Sequence, residues 1–374
     1  MQIECCVKLR VVEVNPWEDP RWEAFLMGHR DGTIYHHPTW LKALQREYSQ
    51  QAAYLACEDS EGTLQGILPL IYTRGLPLSG SSPLTGRRLS SLPRTPLAGP
   101  LSVYPEATAE LLREAVRRAA VDPRIRIQIK AHGGELSDGI DGVVRKPWRE
   151  TYVVRLAGTP GQTYTVPSSQ NRAAIKRGIN KAIASGVRTR LADSEADLRV
   201  WYGFYLETMR RNFVPARPYR LFRALWELMQ PKGMMRLILA EHHTGAKSRA
   251  IGGHLFFSFG DTVTYAFGAS LSSAFSLRPN DIILWRAIQD ASREGYRFLD
   301  LGEVPEGDDN LARFKSKWGA APVRLYRYYY PDFPDANNFS AETGHAPGSL
   351  AQVMWSHMPL TMTAWVGDWF YGFL

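Results

Sequence analysis

Phe314 and Lys315 stand where an apolar run (298–301), an acidic glycine-containing loop (303–309) and a helical stretch follow one another. A strand, loop and helix in that order can bring a lysine ammonium to the mouth of a cleft. There it could hold a phosphate or stabilise an anionic intermediate. On the residues alone, a lysine snorkelling beside buried Phe314 and Trp318 is the alternative. Asp300 and Glu303 follow the same run and could accept a proton from an amine, although acids in loops commonly serve as caps. Upstream, Arg172, Lys176, Arg177 and Lys181 fall in one expected helix, followed by Arg188 and Arg190, with no acid before Asp193. At about 100° per residue, Arg172 and Lys176 flank the apolar stripe of Ile175, Ile179, Ala182 and Ile183 and so could line a cleft edge. Arg177 and Lys181 lie farther round and read as solvated.

Other chemistries lack their signatures. There is no GxxxxGK[ST], GxGxxG or HExxH, and Gly268-Ala269-Ser270-Leu271-Ser272 lacks the second glycine of a nucleophile elbow. The pairs His36/His37 and His242/His243 are adjacent rather than four apart, so no metal site is expected. Three cysteines, Cys5, Cys6 and Cys57, cannot build a disulfide framework and imply a reducing compartment. Glu4, Lys8 and Arg10 interrupt any secretory signal, and no stretch of about 20 uncharged apolar residues occurs. The expectation is a cytoplasmic protein. Its net charge is +8, and because four acids and no Lys or Arg follow Arg327, the part before carries +12, which suits anionic partners.

The elements that must position these residues fall into two blocks. The first reads as a strand (8–14), a helix after His37-Pro38-Thr39-Trp40, a hairpin (53–57 and 66–72), a long Pro/Gly/Ser loop (75–100), a helix (106–120) and strands at 125–130 and 151–156. A linker (158–167) follows. The second block runs through helices (170–184, 195–212, 219–229), a hairpin (235–241 and 250–259), a strand (263–267), a helix closed by Gly295, a short strand and a final strand (323–330). LACEDSEGTLQGILPLIY and LAEHHTGAKSRAIGGHLFF share one order of apolar strand, polar turn, glycine and apolar strand. Gly66 and Gly252 then correspond at an offset of 186 residues, about half the chain, which makes an internal duplication plausible. Expected domains are 1–157, a linker 158–167, 168–331 carrying the site, and 332–374 as an acidic linker with an aromatic tail.

In this order, several segments resemble the FemAB/FemX-type branch of the GNAT superfamily, including the CelD-like acetyltransferases associated with exopolysaccharide and cellulose production. They are His37-Pro38-Thr39-Trp40, Gly66-Ile67-Leu68-Pro69-Leu70, Leu89-Ser90-Ser91-Leu92-Pro93, Asn171-Arg172 to Gly186, Arg278-Pro279-Asn280 to Trp285, and Asp300-Leu301-Gly302 to Phe314-Lys315-Ser316-Lys317-Trp318-Gly319. They span about residues 34 to 330. The resemblance implies an α/β (α+β) fold of two tandem GNAT-like domains, each a mixed, mainly antiparallel splayed sheet flanked by helices. It implies an N-acyltransferase, with Phe314 and Lys315 at the reaction centre. Arg172, Lys176, Trp40, Arg278, Asn280, Asp300 and Glu303 are the candidate substrate- or phosphate-binding residues. The co-substrate would be acyl-CoA or aminoacyl-tRNA, with no tightly bound cofactor, and the acceptor an amino sugar or glycan precursor of the cell envelope. The nearest approach to the GNAT pyrophosphate turn, [RQ]xxGx[GA], is Arg249-Ala250-Ile251-Gly252-Gly253-His254, inside an expected strand. A non-catalytic tRNA-binding module and an envelope-enzyme scaffold are the alternatives. Residues 350–374 could lie on the inner face of a membrane, or pack on the protein or a partner.

Overall fold

Apolar runs of period two alternate with capped amphipathic helices along the chain, and this alternation builds two units. The computed structural model describes residues 8–48, 50–75, 86–132, 136, 140–332 and 350–373. Unit 1 is Met1–Arg149, Arg324–Glu342 and Gly372–Leu374; unit 2 is Glu150–Val323 and Thr343–Tyr371. Cys5 and Cys6 lie outside the described residues, and Cys57 is buried as a free thiol.

Unit 1 holds β1 (Arg10–Glu13), α1 (Pro20–Gly28), α2 (Pro38–Tyr48), β2 (Ala52–Glu58), β3 (Leu64–Thr73), β4 (Arg88–Ser90), β5 (Leu101–Ser102), α3 (Pro105–Ala119) and β6 (Arg126–His132). Helix α1 starts where Asp19 accepts a bond from the Arg21 amide, with Pro20 in the first turn, where its missing N–H costs nothing. Ala107, Leu111, Leu112, Ala115 and Ala119 make one apolar stripe on α3, which packs over β2, β3 and β6. The expected loop at 75–100 contains the short β4; residues 76–85 fall outside the description.

Unit 2 takes the second half of β7 (Val144–Arg155), then α4 (Ser169–Ala184), β8 (Val187–Leu191), α5 (Glu195–Arg211), α6 (Tyr219–Met229), β9 (Met235–Thr244), β10 (Lys247–Phe259), β11 (Thr262–Ser270), α7 (Pro279–Arg293), β12 (Phe298–Val304) and α8 (Asp309–Ser316). Strand β13 (Ala320–Tyr330) follows, then α9 (Leu350–His357) and α10 (Leu360–Tyr371), split by Pro359. The sheet order is β7-β12-β11-β10-β9-β8, and only β11 and β12 run parallel. Ile283, Leu284, Ile288 and Ala291 of α7 fill the core against Ile238, Phe256 and Leu299.

The units do not follow chain order, which departs from the boundary expected near 157 and the tail expected from 332. Residues 150–155 of β7 pair with β12 in unit 2, while residues 325–330 of β13 pair with β6 in unit 1. Helices α9 and α10 pack on α5, one of the placements left open for residues 350–374.

Both units repeat one topology. In each hairpin an extra residue precedes the glycine: Gln65 before Gly66 in β3, and Ile251 before Gly252 in β10. Each glycine faces a serine on the next strand, Gly66 opposite Ser102 and Gly252 opposite Ser270. A Cβ at Gly252 would lie 2.2 Å from Ser270 Oγ, so no larger residue fits there. Each serine leads to a 15-residue helix with proline in its first turn, then to a seven-residue strand; β6 runs parallel to β4, and β12 parallel to β11, the strand that carries Ser270.

Candidate active site

The site forms where β11 and β12 part. Their ladder runs only from Thr262↔Phe298 to Thr264↔Asp300. Beyond it β11 stays with β10 and β12 with β7, so residues 265–270 and 301–304 diverge as the two walls of a wedge. Both walls are bulged. Ala266 is an extra residue in β11, between the pairs Phe256↔Tyr265 and Leu255↔Phe267. In β12 the extra residue falls between Asp300↔Val153 and Glu303↔Thr151, and Gly302 there has φ +80°, the left-handed region only glycine enters without strain.

The β12 bulge re-aims two carbonyls. Lys315, on α8, donates from Nζ to the oxygens of Gly302 (2.8 Å) and Glu303 (2.9 Å) and is only 5% exposed. Burial lowers its pKa to about 8, against the pull of the Asp300, Glu303 and Asp308 carboxylates, which favour the charged form. The ammonium is therefore charged at neutral pH, and two of its three N–H groups are used by these carbonyls. Such a group, fixed at a strand divergence, can meet negative charge developing on a bound carbonyl oxygen.

Asp300 Oδ1 accepts bonds from Thr151 Oγ1 (2.5 Å) and the Gly302 amide (2.8 Å), so this carboxylate holds the bulge that presents the carbonyls. Glu303 lends its backbone oxygen to Lys315. Asp308 caps α8 by accepting from the Leu311 amide, which sets the helix that carries Lys315. Phe314 packs on the unit 2 core and meets Trp318 edge-on at 6.4 Å. Lys317 lies 5.0 Å from both ring centroids and pairs with buried Asp281 at 2.6 Å, tying the end of α8 to the first turn of α7.

The remaining candidates have other surroundings. Asn280 Oδ1 accepts from Ser270 Oγ (2.7 Å) and from His254 Nε2 (3.0 Å), stitching α7 to β11 and β10. Arg278 caps α7 at φ +60° with an exposed side chain 3.8 Å from Asp281. Arg172 turns back to donate to the carbonyls of Val166 (2.8 Å) and Pro167 (3.0 Å), so it clamps the approach to α4 instead of facing a cleft. Lys176 is exposed on α4. Trp40 lies in unit 1, enclosed against Tyr35 at 5.0 Å, and a ring so buried presents nothing to a ligand. Arg249 to His254 runs inside β10, which is not the strand-to-helix turn that points amides at a pyrophosphate. At the start of α7, Pro279 has no N–H, and the Asn280 and Asp281 side chains are spent on the protein, so that helix end is poorly suited to a phosphate.

Sequence reasoning missed His254 and Tyr265. His254 is fully buried and stacked on Tyr265 at 4.8 Å, and burial lowers its pKa to about 4, so the ring is neutral. With Nε2 donating to Asn280, Nδ1 is an acceptor without a partner among the described residues. The Tyr265 carbonyl oxygen stands 3.4 Å from where a Gly302 Cβ would sit, which puts this pair beside the wedge. The only signal was a polar residue interrupting an apolar strand. In unit 1, a cavity of about 280 Å³ lies between residues 97–102 and 131–132, lined also by His29, His36 and Thr108. His36 is neutral there, donating to the Gly99 carbonyl, with burial lowering its pKa to about 4. Among the described residues, no group of three or more His, Cys, Asp and Glu could hold a metal.

Residues 169–316 match a protein family described as Acetyltransferase (GNAT) domain. No curated protein sequence matches the chain. Among solved structures, the chain is similar to FemX, with a TM-score of 0.62 and 14% identity over 86% of this chain and 98% of that one. It is similar to L-PGS from Bacillus licheniformis (0.55, 13%, covering 93% and 99%) and to a tandem GNAT protein from the clavulanic acid biosynthesis pathway (0.51, 11%, covering 87% and 99%). At such identities the likeness is one of fold.

Proposed function

Since residues 169–316 belong to the GNAT acetyltransferase family, we infer that the protein is an N-acyltransferase whose reaction centre is the wedge between β11 and β12, with Lys315 as its cationic donor. The observation that carries this reading is the buried ammonium, anchored on two bulge carbonyls with one N–H left over. An acceptor amine attacks the carbonyl carbon of an activated acyl donor. The C–N bond forms as the carbonyl π electrons move to oxygen, and Lys315 stabilises that oxyanion. Collapse breaks the bond to the leaving thiolate or alkoxide, which takes the proton the amine gives up. The protein's share is orientation and electrostatics, with no covalent enzyme intermediate.

Acyl-CoA and aminoacyl-tRNA share the required activated carbonyl, and the poor phosphate site at the start of α7 means that either donor is gripped elsewhere. Lys176, exposed on α4, is proposed as a cation for donor or acceptor phosphates. Phe314, packed on the unit 2 core, is proposed to anchor the helix that carries Lys315. The acceptor class proposed is an amine of a cell-envelope glycan precursor or exopolysaccharide, as for the CelD-like branch.

Purified protein is incubated with acetyl-CoA or with aminoacyl-tRNA and a panel of amino sugars, and products are read by mass spectrometry. One donor arm is expected to add its acyl mass to an acceptor, and Lys315→Met to lower the rate of that gain by about 10²–10³. No transfer from either donor class, or unchanged turnover in Lys315→Met, overturns the reading. Steeply salt-dependent RNA binding without turnover identifies the non-catalytic alternative.

A further inference from the structure

Because the two units repeat one topology, unit 1 has a wedge of its own, and there the chain fills the apex. The parallel ladder of β4 and β6 runs from Arg88↔Arg126 to Ser90↔Gln128. Beyond it the chain loops out but stays tied to β6, the Ser91 amide donating to the Gln128 carbonyl (2.9 Å) and the Ala98 amide to the Lys130 carbonyl (3.2 Å). A Cβ at Gly99 would lie 2.8 Å from the Lys130 carbonyl oxygen, so no larger residue lies this close to β6. What stays open is the cavity of about 280 Å³ at the mouth, between residues 97–102 and 131–132. No helix follows β6 among the described residues, so no counterpart of Lys315 reaches this cavity, which suits binding rather than acyl transfer.

Its lining selects the ligand. Two imidazoles border the space, each held as a neutral tautomer. His29 accepts from the Asp31 amide at Nδ1 (3.2 Å) and donates from Nε2 to the Ser102 carbonyl (3.1 Å). His36 donates from Nε2 to the Gly99 carbonyl (2.9 Å), and Thr33 Oγ1 lies 2.8 Å from its Nδ1. All four ring nitrogens are thus engaged by the protein, so these two residues serve neither as metal ligands nor as cations for a phosphate. At the rim, beside exposed His132, Arg30 and Asp31 pair at 3.4 Å and cancel in charge. The Ser102 and Thr108 hydroxyls share one hydrogen bond, which leaves the pair one O–H to give. Leu97, Pro100, Leu101 and Ala131 supply apolar surface.

We propose that this cavity binds a single uncharged pyranose ring of a glycan. A pyranose has apolar C–H faces for that surface. Its rim of hydroxyls, each donor and acceptor, meets the Asp31 carboxylate, the Arg30 guanidinium and the Ser102–Thr108 pair. Drug-sized ligands fill about 300–1,000 Å³, so a cavity just below that range takes one ring rather than a nucleotide. The inference rests on the transferase reading only for the source of the ring: a glycan acceptor brings such sugars, and a ring held on unit 1 keeps that acceptor on the enzyme.

The test is saturation-transfer NMR on the full chain without any acyl donor, with methyl glucoside and N-acetylglucosamine as probes and inorganic phosphate as competitor. Transfer to a neutral sugar is expected, undiminished by phosphate. Asp31→Ala should weaken the titrated affinity about tenfold or more, because its bonds are charge-assisted, and Thr108→Val about two- to tenfold. Asp31 is exposed and valine keeps the shape of threonine, so the fold is kept, and circular dichroism checks it. Binding of neither sugar, affinity unchanged in both variants, or displacement of the sugar by phosphate would each overturn the proposal. Sugar binding is read without a donor, so its failure leaves the transferase reading standing, and a failure of acyl transfer leaves sugar binding measurable.

Discussion

Lys315→Met isolates the charge of the buried ammonium, because the unbranched methionine keeps most of the volume and loses all three donors. In the folded protein this lysine titrates near 8 instead of 10.5. A lowered lysine pKa means that the folded state binds fewer protons than the unfolded chain between those values. Stability therefore rises with pH from about 8 to 10.5, and below 8 the buried charge costs on the order of 3 kcal/mol. Methionine removes that cost but strands the Gly302 and Glu303 carbonyls, at about 1–3 kcal/mol each, so the two effects oppose each other and the melting temperature should move by only a few degrees. Activity should behave differently. Loss of one oxyanion donor in a water-poor site costs about 10²–10³ in kcat. The wild-type rate should also fall as pH rises through about 8, where the ammonium deprotonates, and this descending limb should vanish from the residual activity of Lys315→Met. The assay is steady-state acyl transfer from pH 6 to 10 on both proteins, with thermal melts alongside. A wild-type profile flat through 8, or a variant retaining a third of the activity, would refute the assignment.

Three further outcomes follow from the same geometry. Asp300→Asn removes the carboxylate that most favours the charged lysine, so the descending limb should move below pH 8; an unmoved limb would separate Asp300 from Lys315. His254 and His36 are buried neutral near pKa 4, so each should cost up to about 3 kcal/mol of stability as pH falls from 6.5 to 4; urea melts across that range should flatten in His254→Gln, and equal slopes would contradict its burial. Trp40→Ala should destabilise by about 3–5 kcal/mol through the cavity it leaves in unit 1, yet spare turnover per folded molecule; a selective loss of kcat would restore Trp40 to the site.

Local information in the chain was enough for most elements. Caps such as Ser168 and Ser194, the glycine turns and the period of each apolar run act within a few residues, so helices α3 to α7 and both hairpins were legible. Helix α1 and the first half of β7 were missed, and Pro359 was read as an interruption where it separates two helices. The repeat seen in two short segments extends to matched bulges, serine partners and helices, because both hairpins solve one packing problem. The Phe314-Lys315 step was visible as a pattern, but it was equally consistent with a snorkelling lysine.

Tertiary structure alone decided the rest, since pairing and burial depend on residues far apart in sequence. Which strand accompanies β12 or β6 is a choice of partner that no local period encodes, and so β7 and β13 crossed the expected boundary. Arg172 turned to nearby carbonyls and Trp40 sank into a core, although each looked like a ligand contact in one dimension. Above all, Lys315 is buried with a lowered pKa because Gly302 lets β12 bulge and turn two carbonyls toward it, with Asp300 and Thr151 holding the bulge from across the ladder. The residue types were written in the chain; the low-dielectric setting that lowers the pKa of one of them came only with the fold.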